Sequence, residues 1–137
     1  MRPFNSPSLS LAKIANSFGA QSSISESDLA AIVINGASHN DSGVVPGDLF
    51  IAIAGAHRHG AEFAQNAKQA GAVAVLTDQE GAKLVKGLPV LVVDNPRLLA
   101  GRIAAMLYGE PMRDLNSIAI TGTNGKTTVT TLLHQLF

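Results

Sequence analysis

Short apolar runs alternate along this chain with longer segments whose apolar residues have helical spacing. Segment 8–18 carries apolar residues near every third or fourth position, and Gly19 follows as a stop signal, so we predict a helix there. Brief apolar runs bounded by turn residues are typical of strands that are buried on both faces. The chain has such runs at 32–34, 49–53, 73–76 and 90–93.

Helical segments separate these predicted strands. One covers 61–70 and another covers about 96–108, with a proline in its first turn and Asp94 or Asn95 as its N-cap. Segment 79–86 forms a short helix or a loop. Strands that alternate with helices predict an α/β fold with a largely parallel sheet.

The last residues predict the beginning of a second domain. Ser117–Ile120 indicates a strand, 121–125 a turn that contains glycine, and Lys126 the start of a helix. The apolar residues of that helix form a stripe at Val129, Leu132, Leu133, Leu136 and Phe137. One strand and one helix cannot bury this stripe between themselves. We therefore predict a first domain over 1–115 and, over 116–137, the first strand, loop and helix of a truncated second domain.

Composition and charge fit a globular protein and exclude several classes. Hydrophobic residues make up 46% of the 137 positions and charged residues 15%, as in folded chains. Ten basic and ten acidic side chains cancel, so we expect no nucleic-acid partner, which would require a basic excess. The absence of cysteine excludes disulfides and thiolate metal sites. With no apolar leader and no run of about 20 apolar residues, we expect a cytoplasmic protein without a membrane partner.

Residues 122–128 have the pattern of a phosphate-binding loop between a strand and a helix. They are Gly122, Thr123, Asn124, Gly125, Lys126, Thr127 and Thr128. Glycines let the amides of 123–128 point at an anion, and the helix N-terminus adds partial positive charge. Lys126 could then reach the β- and γ-phosphates of ATP, and the Thr127 hydroxyl could coordinate Mg²⁺. The alternative is a glycine-rich turn with an incidental lysine, since the first glycine of the general pattern is replaced by Ile120.

The same heptad, GTNGKTT, resembles the ATP loop of the Mur ligases and of the related folylpolyglutamate synthetases. Residues 44–52 resemble the V-x-PGDLFVA segment of E-type and F-type Mur ligases, 55–63 the loop that follows it, and 71–76 the next strand. The run Leu107-Tyr108-Gly109-Glu110-Pro111 is like that of the E-type, and F-type members more often have GSSGKT in the ATP loop. The resemblance extends over about residues 9–137 and favours an E-type N-terminal fragment.

In this family the N-terminal domain holds the uridine-diphosphate end of the substrate, which implies a set of contact residues. Carried over without gaps, they are His39, Asp41, Ser42, Ala56, His57 and Arg58. Where the family reads D-S-R, this chain has Asn40-Asp41-Ser42, and a carboxylate that faced a diphosphate would be repelled. Either the register slips and Ser42 makes the contact, or Asp41 points to the ribose or the uracil.

Three further features have plain structural interpretations beside functional ones. By residue type alone, His57-Arg58-His59 is a solvated polar loop. The resemblance favours ligand contact for His57 and Arg58, because an imidazole N–H or a guanidinium suits a uracil carbonyl or a phosphate, and His59 stays a loop residue. Asp48, after Pro-Gly, is a common turn former. Asp94–Arg97 spells the DNPR motif by which E-type ligases recognise meso-diaminopimelate, but their motif lies in the C-terminal domain, so we interpret this one as a helix start.

The resemblance implies an ATP- and Mg²⁺-dependent ligase of peptidoglycan precursor synthesis. Such an enzyme phosphorylates the terminal carboxylate of UDP-N-acetylmuramoyl-L-alanyl-D-glutamate, and the amine of a diamino acid, meso-diaminopimelate or L-lysine, attacks the acyl phosphate. The family's modified lysine, its second-metal ligands and its amino-acid pocket are absent, so we expect this chain alone to be inactive. Three alternatives remain open: an F-type fragment, whose parent adds D-alanyl-D-alanine, an unrelated P-loop NTPase or kinase, and a non-catalytic module that binds a UDP-nucleotide.

Overall fold

The computed structural model describes residues 8–136 and has an α/β fold. Its strands are β1 (Leu9–Ser10), β2 (Gln21–Ser22), β3 (Val33–Ile34), β4 (Gly36–Ser38), β5 (Asp48–Ile51), β6 (Ala74–Thr77) and β7 (Val90–Val92). Its helices are α1 (Leu11–Phe18), α2 (Glu26–Ala31), α3 (Ala64–Gln69), α4 (Gln79–Ala82), α5 (Pro96–Leu107) and α6 (Lys126–Leu136). Short 3-10 turns lie at Asp41–Gly43, Gly60–Phe63 and Pro111–Asp114.

Five strands form the main sheet, in the order β2-β7-β6-β5-β4. Strands β4 to β7 are parallel, which confirms the parallel sheet predicted from the alternation of strands and helices. The edge strand β2 pairs with β7 in the antiparallel direction, and β1 pairs with β3 as a separate antiparallel ribbon. The sheet is therefore mixed. The carboxyl ends of its four parallel strands lie along the same side of the sheet, perpendicular to the strand direction.

Both faces of the sheet are covered, which explains why its central strands are almost continuously apolar. Every residue of β5 and β6 is buried. On one face, Leu49 and Ile51 pack in a cluster that α1 and α5 complete. On the other, Phe50 and Val75 pack in a cluster that α3 completes. Because successive strand residues point to opposite faces, nearly all of them are apolar, and the buried polar exceptions are Asp48 and Thr77 at the strand ends. Burying one apolar side chain contributes roughly 1.5–3 kcal/mol.

Capping signals set the helix ends. Ser10 caps α1, and Gly19 ends it with a φ of 62°, a left-handed conformation that glycine adopts without strain. Asn95 is the residue that caps α5, accepting a hydrogen bond from the Leu98 N–H at 3.1 Å, and Pro96 is the first helical residue. The DNPR sequence is thus a helix start, as predicted. No helix in the part of the chain that the structure describes has the length and apolarity needed to cross a bilayer.

Two of the predicted strands are wrong in detail. Of the predicted strand 32–34, only the last two residues form a strand, β3, which pairs with β1 outside the main sheet. The strand that pairs with β5 in the main sheet is β4, whose residues are too small and polar to predict a strand. Segment 117–120 belongs to none of the ladders among residues 8–136. A strand forms when its N–H and C=O groups find a partner strand, and this segment has none in the described chain.

Helix α6 forms over Lys126–Leu136 as predicted, and the described part of its apolar stripe is largely exposed, while Phe137 lies outside the described residues. Val129, Leu132 and Leu136 are 44%, 55% and 77% exposed, and no described residue of α6 is buried. Side chains this exposed gain little from the hydrophobic effect. The folded core therefore lies in the segment that precedes α6.

Candidate functional site

A cleft of about 380 Å³ lies at the carboxyl ends of β4 and β5. It is lined by His39, Asn40, Asp41, Phe50, Ile53, Arg58, Gly60 and Phe63. In a parallel sheet, loops that leave the carboxyl ends of neighbouring strands converge at one edge, where ligands commonly bind. The structure therefore brings His39, Asp41 and Arg58, three of the six residues predicted to contact the substrate, to one cavity.

The first wall of the cleft is the turn that follows β4. The Ser38 hydroxyl donates to the Asn40 carbonyl at 2.7 Å, and the Asn40 side chain accepts from the Ser42 N–H at 3.3 Å. The Asp41 carboxylate lines the cleft and accepts a hydrogen bond from the Asn66 side chain of α3 at 3.1 Å. Ser42 is exposed and does not line the cleft. The geometry thus places Asp41, and not Ser42, on the cavity wall.

The second wall is the segment Ala54–His59, which we call the 54–59 loop. Its ends pair as an antiparallel bridge between Ala54 and His59, and the Gly55 N–H donates to the Arg58 carbonyl at 3.0 Å. All three of Ala56, His57 and Arg58 are exposed, and of these Arg58 lines the cleft. Contact of Ala56 and His57 with a ligand stays a prediction.

His59 is not the solvated loop residue that its sequence context indicated, and that prediction is wrong. Its side chain is 14% exposed, and its Nδ1 accepts a hydrogen bond from the Ala61 N–H at 3.0 Å. The imidazole proton must then lie on Nε2, which is 3.0 Å from Asp78 Oδ1. The Glu62 carboxylate in turn accepts from the His59 N–H at 3.2 Å, and this pairing makes a capping box. His59 is therefore a structural residue at the base of the loop.

Asp78 joins this base to the next strand and helix. It follows β6, caps α4 by accepting from the Gly81 N–H at 2.8 Å, and accepts from His59. Burial acts to raise the pKa of the Asp78 carboxyl, but the hydrogen bonds from the Gly81 amide and from His59 outweigh it and hold the pKa below its usual value. Asp78 is therefore ionised at neutral pH.

A larger cleft of about 600 Å³ lies further along the same sheet edge, beyond β6 and β7. Three carboxylates, those of Asp78, Glu80 and Asp94, are among its lining side chains. The negative charges of these carboxylates would repel an anion, so this cleft is the poorer match for a diphosphate despite its size. The smaller cleft is the better match for a diphosphate, because the Arg58 guanidinium lines it.

The turn at 121–125 and the helix start at Lys126 form as predicted, but the lysine bonds to the turn itself. Gly125 has a φ of 79°, which favours glycine, and α6 begins at the next residue. The Lys126 ammonium donates to the carbonyls of Gly122 and Thr123, the second at 3.3 Å. An anion in the loop would have to draw the ammonium away from these two carbonyls.

The groups of this loop suit a nucleotide phosphate and Mg²⁺. An ammonium and the N-terminus of an 11-residue helix attract an anion, and the Thr127 hydroxyl takes part in none of the hydrogen bonds described for residues 8–136. Over that range, no three His, Asp or Glu side chains are grouped to hold a metal ion. A single hydroxyl is a fitting protein ligand for Mg²⁺, which otherwise keeps waters and phosphate oxygens.

One family profile and several curated proteins match this chain. The profile of the Mur ligase family, catalytic domain, matches residues 33–113, more than half of the chain. A UDP-N-acetylmuramoyl-L-alanyl-D-glutamate--2,6-diaminopimelate ligase from Streptomyces avermitilis is 46% identical over 135 residues, which cover 97% of this chain and 26% of that protein. A UDP-N-acetylmuramyl-tripeptide synthetase from Leifsonia xyli subsp. xyli is 38% identical over 138 residues, with coverages of 99% and 26%. The chain thus spans about a quarter of the length of these curated relatives.

Solved structures share the fold. The UDP-N-acetylmuramoylalanyl-D-glutamyl-2,6-diaminopimelate--D-alanyl-D-alanyl ligase from Acinetobacter baumannii has a TM-score of 0.69 and 20% identity, over 96% of this chain and 28% of its own. A MurF ligase from Thermotoga maritima in complex with ADP has a TM-score of 0.51 and 26% identity, over 74% of this chain and 23% of its own. From the profile match, the sequence identities and the shared fold, we conclude that this chain belongs to the Mur ligase family.

Proposed function

We propose that this chain is the substrate-binding part, with the start of the ATP-binding domain, of an E-type Mur ligase. Residues 1–115 would form the domain that holds the UDP end of the substrate, and 116–137 would begin the domain that binds ATP. The observation that carries the proposal is the cleft at the carboxyl ends of β4 and β5, where His39, Asp41 and Arg58 meet. The names of relatives with 46% and 38% identity support the E-type.

The chemistry of the cleft suggests how each group would contact the nucleotide. The Arg58 guanidinium suits a diphosphate, to which it can donate two parallel hydrogen bonds. Asp41 would be repelled by a diphosphate, but its carboxylate can accept from a ribose hydroxyl or the uracil N–H. Of the two alternatives at this segment, we favour the one in which Asp41 contacts the ribose or the uracil, because Ser42 lies off the cleft wall. Asn66 would hold the carboxylate in place.

The heptad 122–128 would bind the phosphates of ATP. Lys126 would exchange its bonds to the loop carbonyls for bonds to the β- and γ-phosphates, and the amides of 123–128 would line the phosphates. Thr127 would hold Mg²⁺, which neutralises charge on the phosphates when bound. The relative from Thermotoga maritima in complex with ADP supports nucleotide binding by members of this family.

In the complete protein, the two sites would serve one ligation in peptidoglycan precursor synthesis. The terminal carboxylate of UDP-N-acetylmuramoyl-L-alanyl-D-glutamate would take the γ-phosphoryl group of ATP, and the amine of a diamino acid would displace phosphate from the acyl phosphate. This chain's residues would anchor the UDP end and hold the nucleotide, which fixes the reacting groups near each other. The Streptomyces avermitilis relative's name favours diaminopimelate over lysine as the amine.

An F-type ligase is the second candidate, because the two solved structures described above carry the names of F-type enzymes. We favour the E-type, since those structures are 20% and 26% identical whereas the E-type relative from Streptomyces avermitilis is 46% identical. A module that binds the UDP-nucleotide without catalysis also fits this chain alone, and we expect no ligation by it.

The test is a calorimetric titration of the chain with UDP-N-acetylmuramoyl-L-alanyl-D-glutamate, with the corresponding UDP-tripeptide as comparator. Tighter binding of the dipeptide form, with NMR shifts at Asp41, Arg58 and Gly60, would support the E-type and the cleft. Preference for the tripeptide form would indicate the F-type. Arg58→Ala should abolish most of the binding, and Arg102→Ala, an exposed arginine on α5 that stacks over Phe18, is the matched control. Absence of binding by the unmodified chain would overturn the proposed cleft.

A further inference from the structure

The 54–59 loop is held at its first residue by a side chain distant in sequence. Arg97, the second residue of α5, donates from Nη2 to the Ala54 carbonyl at 2.9 Å. A hydrogen bond from a guanidinium is stronger than one between neutral groups, and the planar guanidinium restricts its direction. Arg97 thus attaches the start of the loop to the helix that follows β7.

The last residue of the same loop is held by a second, independent contact. His59 Nε2 donates to the Asp78 carboxylate, at 3.0 Å from Oδ1 and 3.2 Å from Oδ2. Its Nδ1 accepts from the Ala61 N–H, so both ring nitrogens are used and the imidazole cannot turn. The ring also lies where only a glycine fits beside it, because a Cβ at Gly81 would be 2.4 Å from His59 Cε1. The end of the loop is therefore attached to β6 and α4.

Between these two attachments the loop presents the residue that reaches the cleft. Ala56, His57 and Arg58 are all exposed, but Arg58 alone of the three lines the cleft. One hydrogen bond, from the Gly55 N–H to the Arg58 carbonyl, closes the turn. A loop that is already ordered loses less conformational entropy when a ligand binds. Contacts that order the loop would therefore favour ligand binding as well as folding.

We propose that Arg97 and the His59–Asp78 pair are positioning residues, which hold the 54–59 loop so that Arg58 faces the UDP end of the substrate. The inference rests on the proposed function of the cleft and adds the residues that prepare it for binding. It assigns a role to the arginine of the DNPR sequence, which the helix start alone does not explain. It also gives a role to His59, the last residue of the loop, which does not line the cleft.

Two substitutions separate positioning from stability. Arg97→Ala removes the first attachment and keeps the Asn95 cap and Pro96, so α5 should still form. Asp78→Ser removes the second, since serine also caps helices and preserves α4 but is too short to reach His59. The matched controls are Arg102→Ala on the same helix and Asp78→Asn, which keeps a hydrogen-bond acceptor for both the Gly81 amide and His59.

The measurements are the dissociation constant for UDP-N-acetylmuramoyl-L-alanyl-D-glutamate, by calorimetry, and the ¹⁵N order parameters of residues 55–58 in the free chain. Arg97→Ala and Asp78→Ser should each lower the order parameters and weaken binding about tenfold, because one or more loop residues must then be ordered on binding. Arg102→Ala and Asp78→Asn should stay within about twofold of the unmodified chain. Far-UV circular dichroism confirms that each variant is folded.

The outcomes distinguish this inference from the function on which it rests. If the unmodified chain binds the nucleotide and both loop variants bind it equally well, the positioning role is wrong while the cleft stands. If the loop variants melt at lower temperature but keep the dissociation constant, the attachments are merely structural and the proposal also fails. If the unmodified chain does not bind at all, the proposed cleft is wrong and the positioning role falls with it.

Discussion

Replacing Gly81 with alanine should destabilise the fold, although alanine is the better helix former. Gly81 is a buried residue of α4, between β6 and the 54–59 loop. A Cβ there would lie 2.1 Å from Thr77 Oγ1 and 2.4 Å from His59 Cε1, closer than real Cβ atoms approach. Thr77 is fully buried, and its hydroxyl donates to the Ala52 carbonyl at 3.0 Å, so it cannot rotate away without losing that bond.

The magnitude follows from opposing contributions to the free energy of unfolding. Helix propensity favours alanine over glycine by about 1 kcal/mol. Inserting a methyl group into a well-packed site costs about 1–3 kcal/mol. Breaking the hydrogen bond between the buried Thr77 hydroxyl and the Ala52 carbonyl costs about 1–3 kcal/mol more. We therefore expect Gly81→Ala to lower the free energy of unfolding by about 1–5 kcal/mol.

Urea unfolding followed by far-UV circular dichroism measures this change, because the chain has no tryptophan to report by fluorescence. Gly101→Ala is the control: Gly101 is an exposed residue of α5, and a Cβ there would meet nothing within 4 Å. That variant should be more stable by about 0.5–1 kcal/mol. If Gly81→Ala were as stable as the unmodified chain while Gly101→Ala gained stability, the packing of His59 and Thr77 against α4 would be refuted.

Three other predictions concern the pH dependence, the phosphate loop and the core. The pKa of Asp78 is lower in the folded than in the unfolded chain, so ionised Asp78 stabilises the fold above the unfolded pKa of about 3.9, and this stabilisation is lost as pH falls through the folded pKa. Asp78→Asn should therefore reduce the loss of unfolding free energy at acidic pH, measured by urea unfolding at a series of pH values. An unchanged pH dependence would contradict the assignment. Lys126→Ala should weaken ATP binding about 10–100-fold in calorimetric titrations without shifting the melting temperature, because over residues 8–136 the Lys126 ammonium bonds only to its own exposed loop. Equal affinity would remove this loop from the proposed function. Leu49→Ala, at a position with 0% exposure in the central strand β5, should cost about 2–5 kcal/mol in urea unfolding, and a loss below about 1 kcal/mol would contradict its place in the core.

Local signals in the sequence were sufficient for much of the framework. The apolar runs at 49–53, 73–76 and 90–93 correspond to β5, β6 and β7, because a strand buried on both faces must be apolar along its length. The ends of α1 and α5 follow from Gly19 and from Asn95-Pro96, since caps and stops act on neighbouring backbone groups. Such features depend on residues a few positions apart.

Elements without a periodic apolar pattern could not be predicted in the same way. β4 is formed by Gly36–Ser38, and its pairing with β5, which is already buried, makes it a strand. Helix α2, at Glu26–Ala31, is also short and was not predicted. Conversely, 117–120 has a strand-like pattern without a partner among the described residues. Strand formation depends on the neighbour as much as on the residues themselves.

The sequence by itself indicated which residue types are suited to contact a ligand or a phosphate, and the tertiary structure decided which of them share a cavity. Asp41 and Asn66 are 25 positions apart, His59 and Asp78 are 19 apart, and Arg97 lies 43 positions from Ala54. The sheet order brings these pairs together, because parallel strands separated by helices place their carboxyl-end loops at one edge. A pattern read along the chain reports spacing within one element, whereas the positions of His59, Asp78 and Arg97 depend on how several elements pack.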